Sequence, residues 1–316
     1  MQRKQNHGVL LGYQYPQKLV NWREKITQRI PIEPQQDPLE PFMEVTEDAL
    51  AVRDSLHNLR LPYLVPLVLA LWFIVFNVVG DLGLNVASVN TGKRSLVEYQ
   101  LKEARGDYFN DYYKKDYVYY KMTFDKDGNY SLWSYSRAVF AYGTKTQQKF
   151  LVTDLIVSGV SLSLAILFSF VLFIMPRPAD IYFDRKRGIV YTWFYGRVAA
   201  CRFENLGFLE KSMGIVLYLY AENRKGKDGY DMVPIRIQPT GKIILNSARD
   251  NNEFFQKIFN FMENGKSTVI IGEKFYRPQP KTYFMIDKRP EPFEALLEKL
   301  LQQEHVLPKL YRYLQE

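Results

Sequence analysis

The sequence predicts an α+β membrane protein, and three features of the 316-residue chain lead to this fold class. Two segments, Leu61 to Gly80 and Leu155 to Met175, contain no Asp, Glu, Lys or Arg. A tyrosine-rich segment lies between them, and a period-two alternation of apolar residues follows the second. At about 1.5 Å per residue, each uncharged segment reaches roughly 30 Å as a helix, the thickness of the hydrocarbon core of a bilayer. We therefore predict two transmembrane helices.

The two predicted spans divide the chain into six parts. Because two spans return the chain to its starting side, both termini share one compartment and the loop faces the other. The predicted parts are a cytoplasmic N-terminal segment with a pre-membrane helix (1–60), transmembrane helix 1 (61–80), a periplasmic tyrosine-rich domain (81–150), transmembrane helix 2 (151–175), a cytoplasmic antiparallel β domain with a helix (176–265), and a C-terminal linker with an amphipathic helix (266–316).

Charges near the spans favour cytoplasmic termini by a small margin. Cytoplasmic flanks carry an excess of Lys and Arg. The terminal side has six such residues near the spans and the loop side has five, but Arg60 and Arg177 directly adjoin the spans. The single cysteine, Cys201, forbids an intrachain disulfide, which fits a reducing compartment.

The segment before the first span predicts a linker and then a short helix. Ile30 to Phe42 holds four prolines and is typical of an extended linker. Thr46 is a good N-cap residue, and the residues up to Arg60 place several apolar side chains on one face. We expect this helix to lie at the membrane interface or to bind a partner.

The loop between the spans predicts a small α/β domain with an aromatic surface. The turn sequence Asp125 to Gly128 separates two aromatic runs, so Tyr117–Phe124 and Tyr130–Tyr135 are expected to form a hairpin. The aromatic side chains fit a domain packed on its own tyrosines and a recognition surface equally well. If they form a recognition surface, the candidate partner-binding residues are Tyr112, Tyr113, Tyr117, Tyr119, Trp133 and Tyr135.

The region after the second span predicts strands followed by a helix. The expected strands start at Ile181, Ile189, Arg197, Gly214 and Gly229, and a helix with a phenylalanine-rich face ends at Gly265. This order of elements is that of a pleckstrin-homology-like barrel. A last amphipathic helix is expected from Glu291 to Glu304.

Small residues follow one another at four-residue intervals in the second span, at Ser161, Ala165 and Ser169. Such a stripe lets another helix approach closely. The first span of the same chain is the expected partner, and a second copy of the chain, giving a homo-oligomer, or a foreign membrane helix is the alternative.

Positive charges near the bilayer predict contact with anionic headgroups. Arg177 and the hairpin tip Arg185, Lys186 and Arg187 are the candidates, and a solvated turn is the alternative explanation. From Pro176 onward, 23 Lys and Arg stand against 17 Asp and Glu, an excess too thin for nucleic-acid binding.

The sequence shows no catalytic, cofactor or metal motif. His7, His57 and His305 combine with Cys201 in no metal-ligand or thiol-triad spacing. The stretch from Asn264 to Gly272 resembles a phosphate-binding loop, but Asn260 stands where that motif requires Gly. We therefore expect a non-enzymatic protein without cofactors.

The spans and the segment "RPADIYFDRKRGIVYTWFYGRVAACRFENLGFLE" together resemble an uncharacterised bacterial domain family, and the turn Phe183–Gly188 is the most recognisable piece. The members of this family are two-pass inner-membrane proteins of Gram-negative bacteria found near type VI secretion and polymorphic-toxin genes. The resemblance implies an inner-membrane location and an immunity or accessory role, and it carries over no catalytic residue.

Two functions are therefore expected. The first is an immunity protein that neutralises a membrane- or periplasm-acting toxin by direct binding. The alternative is a membrane-tethered adaptor whose cytosolic β domain binds an effector, a secretion component or anionic lipid.

Overall fold

The computed structural model describes residues 16–27, 32–80, 82–108, 110–125, 127–211, 214–223, 230–241, 246–279, 281 and 283–303, with the backbone only at 58 and 59. The chain forms two compact units. Residues of Met1–Tyr63 and Phe173–Glu316 form the first, which we call the β unit, and Leu64–Leu172 forms the second, the helical unit. His7 and His305 lie outside the described residues.

The β unit contains one large antiparallel sheet. Its strands among the described residues are β1 (Gln17–Lys18), β2 (Phe42–Val45), β3 (Ala49–Val52), β4 (Ile181–Asp184), β5 (Ile189–Phe194), β6 (Arg197–Arg202), β7 (Gly207–Lys211), β8 (Gly214–Glu222), β9 (Tyr230–Ile237) and β10 (Phe275–Tyr276).

The helices of both units follow the same chain order. They are α1 (Arg23–Thr27), α2 (Leu56–Leu59), α3 (Val65–Gly80), α4 (Val86–Arg105), α5 (Asp111–Thr123), α6 (Leu132–Tyr142), α7 (Lys145–Ile174), α8 (Ala248–Asn264) and α9 (Phe293–Gln302). A π-helical turn, Arg60–Leu64, precedes α3.

Both ends of the chain contribute to the sheet. The strand order is β1-β7-β8-β6-β5-β4-β3-β2-β10, and β9 pairs with β8. At the centre, β3 pairs antiparallel with β4 over four residues, with Leu50 opposite Phe183 and Val52 opposite Ile181. The N-terminal segment is therefore an integral part of the β unit.

This pairing corrects the predicted helix from Thr46 to Arg60. Residues 42–52 are two strands joined by a tight turn in which the Thr46 backbone N–H donates to the carbonyl of Ala49 at 2.9 Å. Only α2 and the π-helical turn are helical in this region. The residues that favoured an amphipathic helix instead supply buried positions on a strand, because β4 offers them a pairing edge.

The predicted strands and helices after the second span are confirmed. Helix α8 begins with a capping box, in which the side chains of Ser247 and Asp250 each accept from the backbone N–H of the other, and it ends at Gly265. Its aromatic face packs against the sheet, with the rings of Phe255 and Phe208 5.0 Å apart. The polar stretch Asn223–Gly229, between the expected strands that start at Gly214 and Gly229, lies mostly outside the described residues.

The helical unit contains both candidate spans. The helices Arg60–Gly80 and Lys145–Ile174 are long and apolar enough to cross a membrane. Only 11 % of the most apolar window of each is buried within the structure, and Phe73, Phe76 and Phe170 are among the exposed apolar side chains.

The segment between the spans is helical, and the predicted α/β domain and hairpin are wrong. Tyr117–Phe124 lies mostly in α5 and Tyr130–Tyr135 mostly in α6. The side chain of Asn110 caps α5 by accepting from the N–H of Tyr113, and Ser131 forms a capping box at the start of α6. A single bridge between Phe124 and Tyr130 is what remains of the expected pairing.

Candidate functional site

Three of the six predicted partner-binding residues are buried or half-buried in contacts within the helical unit. Tyr119 and Tyr135 belong to a small cluster with Val139 and Leu151. Burial raises the pKa of Tyr119 to about 12. The hydroxyl of Tyr117 donates to Glu103 at 2.6 Å, which joins α5 to α4. These side chains stabilise the unit from within.

A further tyrosine that the sequence analysis did not single out connects the same two helices. The ring of Tyr99 on α4 lies 5.9 Å from that of Tyr117 and 6.3 Å from those of Tyr113 and Tyr120. Edge and offset contacts of this kind contribute about 0.5–1.5 kcal/mol each. Much of the tyrosine content of the loop is thus explained by packing of α4 on α5.

The other three predicted residues are exposed. Tyr112 is 70 % exposed, Trp133 is 73 % exposed and Tyr113 is 44 % exposed. Trp133 borders an open groove of about 860 Å³ along α6, which Phe140 and Leu155 also line. Large aromatic side chains left exposed on folded helices offer contact area to another molecule.

The small-residue stripe of the second span lies near the first span. The indole Nε1 of Trp72 donates to Ser169 Oγ at 3.0 Å, so α3 and α7 are joined by a hydrogen bond between two predominantly apolar helices. Ala165 is fully buried and Ser161 is half-buried.

The predicted headgroup-binding residues are separated by the fold. Arg185 and Arg187 line a pocket of about 500 Å³ together with Arg23 and Arg202. Lys186 is exposed at the hairpin tip, and Arg177 lies elsewhere in the β unit. The sequence did not place Arg23 or Arg202 beside the hairpin, because these residues come from distant segments.

Part of this basic pocket is neutralised internally. Arg23 pairs with Glu263 at 2.6 Å, and Arg187 bonds Asp184 at 2.8 Å and Glu294 at 2.9 Å. Glu204 and Glu263 also line the pocket, so four arginines stand against two carboxylates in its wall, and this excess of arginine suits an anionic group.

A buried polar cluster in the β unit joins residues that precede the first span, residues that follow the second, and one residue from the C-terminal segment. Its members are Arg53, His57, Arg177, Asp180 and Gln279. Asp180 is 4 % exposed; its Oδ2 accepts from Gln279 Nε2 at 2.8 Å and lies 3.6 Å from Arg177 Nη2. His57 Nε2 is 3.8 Å from Asp180 Oδ1, longer than a hydrogen bond.

Burial governs the charges in this cluster. Desolvation, with the nearby positive charges of Arg53 and Arg177, lowers the pKa of His57 to about 3. Desolvation raises the pKa of Asp180 to about 6 against the opposing effect of the same two arginines. At neutral pH the histidine is neutral and Asp180 is mostly ionised.

The cluster holds polar atoms that find no hydrogen-bond partner of normal geometry among the described residues, including Arg53 Nε, Arg177 Nε and Asp180 Oδ1. No group of three or more His, Cys, Asp or Glu side chains in the described part of the chain could hold a metal ion. The sequence analysis singled out His57 and Arg177 separately, and no motif could have joined them, since the members come from three distant segments.

Comparison of the chain with protein-family models, with curated proteins and with solved structures gives no match.

Proposed function

We propose that the chain is a non-enzymatic, multi-pass protein of the bacterial inner membrane that binds a protein partner through its helical unit. The observation that carries this proposal is the exposure of Tyr112, Tyr113 and Trp133 on folded helices, whereas Tyr119 and Tyr135 of the same helices are packed. Tyrosine and tryptophan are enriched among the few residues that carry most of the binding energy in protein interfaces.

Membrane anchoring is supported by the two candidate spans and by their largely exposed apolar side chains. In the proposed topology both termini are cytoplasmic and residues 81–150 are periplasmic. In this topology Trp133 lies in the periplasmic part of the chain, shortly before α7 begins at Lys145. A partner that acts at the membrane surface would meet Trp133 there.

Toxin immunity is the form of this function that the resemblance implies. A periplasmic aromatic surface on a membrane anchor suits the capture of a toxin that acts on the membrane or in the periplasm. Neutralisation would follow from direct binding, without any chemistry performed by this chain.

A second function is favoured by the basic pocket of the β unit. As a membrane-tethered adaptor, the chain would bind an acidic effector or secretion component, or anionic lipid, through Arg23, Arg185, Arg187 and Arg202. The antiparallel sheet closed by α8 also fits the proposed pleckstrin-homology-like architecture, which serves as a binding scaffold.

One experiment separates the two functions. Cells carrying the full-length chain are challenged with the toxin encoded beside its gene, and survival is compared for Tyr112→Glu, Trp133→Glu and Arg185→Gln. Val97→Glu, an equally drastic change at an exposed side chain of α4, is the matched control. Immunoblots of membrane fractions verify equal amounts of each variant.

We expect Tyr112→Glu and Trp133→Glu to abolish protection, with Val97→Glu and Arg185→Gln protecting normally. Loss of protection in Arg185→Gln alone would favour the adaptor. Full protection by both aromatic variants would contradict binding through the helical unit.

A further inference from the structure

A cavity of about 250 Å³ opens in the β unit next to the buried polar cluster. Its walls include two carboxylates, Asp54 and Asp287, three aromatic residues, Trp193, Phe194 and Tyr195, and the rigid ring of Pro176. Small-molecule sites commonly combine a concave apolar wall with a few polar groups.

Both carboxylates are held by backbone amides. Asp54 Oδ1 accepts from the N–H of Leu56 at 2.7 Å, and Asp287 Oδ2 accepts from the N–H of Tyr195 at 2.7 Å. Among the described residues that line the cavity there is no Lys, Arg or His. The cavity thus has acidic groups that no cationic side chain in its own wall neutralises.

The surroundings disfavour negative charge on these groups. Burial, reinforced by the negative charge of Asp180, raises the pKa of Asp54 to about 7, against the opposing hydrogen bond from Leu56 and a smaller effect of Arg236. Burial also raises the pKa of Asp287. A bound cation would stabilise both ionised carboxylates.

The indole of Trp193 is fixed in place. The indole Nε1 of Trp193 donates to the carbonyl of Asp287 at 2.9 Å, and its ring stacks on Tyr182 at 5.6 Å with an interplanar angle of 9°. A rigid aromatic wall attracts an organic cation through the ring quadrupole and adds apolar contact.

We propose that this cavity binds a primary ammonium group through Asp54 and Asp287. A metal ion fits less well, because hard cations require several converging oxygen ligands and this cavity is mostly apolar. An organic ammonium group suits both the carboxylates and the apolar wall, since its charge can pair with the carboxylates and its carbon atoms can pack against the aromatic residues.

Two sources could supply this group. Met175 and Pro176 line the cavity and directly follow the last residue of α7, so the site begins where a candidate span ends in sequence. The amine headgroup of a membrane lipid is therefore one source, and a free small amine is the other. The site is independent of the aromatic surface of the helical unit.

The test uses the full-length chain in amine-free buffer. Isothermal titration calorimetry measures binding of ethanolamine hydrochloride, with ethylene glycol as the uncharged probe of matching size. Asp54→Asn and Asp287→Asn keep the acceptor atom for the backbone amide but remove the charge. Asp48→Asn, at an exposed turn, is the matched control. In a second arm, native mass spectrometry compares nanodiscs of phosphatidylethanolamine with nanodiscs of phosphatidylglycerol.

We expect ethanolamine to bind the native chain and the Asp48→Asn variant, with at least a tenfold loss in each of the other two variants and no binding of ethylene glycol. Affinity should rise about tenfold from pH 6 to pH 8 as Asp54 ionises, and Asp54→Asn should remove this dependence. Retained phosphatidylethanolamine, lost in Asp54→Asn, identifies the lipid as the source, whereas ethanolamine binding without lipid retention identifies a free amine. Absence of ethanolamine binding, or binding unaffected by both variants, overturns the proposal.

Discussion

At the scale of single residues, His57 shows how the interior of the β unit controls charge. The ring is 5 % exposed and faces Arg53, Arg177 and Asp180. Burial and the two arginines lower its pKa to about 3. The folded state therefore favours the neutral ring over the protonated ring.

This environment predicts a loss of stability in acid. Between pH 6.5, the ordinary pKa of histidine, and pH 3, the unfolded chain binds a proton at His57 that the folded chain does not. Stability contributed by the neutral ring is thus complete above pH 6.5 and decreases below it, by about 2 kcal/mol at pH 5. We expect His57→Gln to remove this contribution when thermal unfolding is followed at pH 7 and pH 5.

Comparing how stability changes with pH in the native chain and in His57→Gln isolates the contribution of His57. Asp54 and Asp180, whose pKa values are raised to about 7 and about 6, stabilise the folded state as the pH falls, so they act in the opposite direction. Both remain in His57→Gln and cancel in the difference. Equal slopes for the two proteins would show that His57 is not buried in its neutral form.

At the scale of secondary structure, the sequence predicted elements whose partners are close in the chain and failed where distant pairing decides. The hairpin β4–β5 follows from alternation and a turn, and helix α8 follows from a phenylalanine-rich face that ends at Gly265. Residues 46–52 were predicted as part of a helix because nothing nearby indicates that β4, about 130 residues later, pairs with residues 49–52.

The hairpin predicted where α5 and α6 lie was wrong for a related reason. Tyrosine favours strands, and the turn at Asp125 suggested a hairpin, but the caps at Asn110 and Ser131 and the packing of Tyr119 on neighbouring helices select the helix. The buried polar cluster and the cavity at Asp54 could not be predicted from the sequence either, because both form only when the segments before the first span and after the second pair in one sheet.

Because β2 and β3 come from the N-terminal segment, residues 176–316 are not expected to fold by themselves. Without them β4 exposes an unpaired edge, and the core loses Phe42 and Leu50. A chain joining residues 16–60 to 175–303 through a short Gly/Ser linker should be a soluble monomer, because it lacks the apolar helices of both candidate spans. A short linker suffices, since Arg60 Nη1 donates to the Met175 carbonyl at 3.3 Å and the two ends to be joined are therefore close.

Circular dichroism melts and size-exclusion chromatography distinguish the joined chain from residues 176–316. We expect a cooperative transition for the joined chain only, and Leu50→Asp in that chain should abolish it by placing an unpaired carboxylate in the core. A cooperative transition for residues 176–316 alone would contradict the integral role of the N-terminal strands.

At the scale of the whole molecule, the sheet constrains the topology. Residues 49–52 and 181–184 are hydrogen-bonded neighbours, so the segments before the first candidate span and after the second must fold in the same compartment. This requires an even number of crossings between them, which the two candidate spans supply. The near balance of flanking charges in the sequence could not provide this constraint.

Cysteine labelling tests the proposed topology without removing the native cysteine, because Cys201 is fully buried and gives little background. Tyr112→Cys and Lys186→Cys place thiols at exposed positions, one in the helical unit and one at the β4–β5 turn. In intact cells whose outer membrane admits a membrane-impermeant maleimide, we expect Tyr112→Cys to react at once and Lys186→Cys to react only after the inner membrane is permeabilised. Equal labelling of both in intact cells would place the two units in one compartment, and the reverse order would invert the topology. Either result would contradict a periplasmic helical unit, and with it the capture of a periplasmic partner by Tyr112 and Trp133.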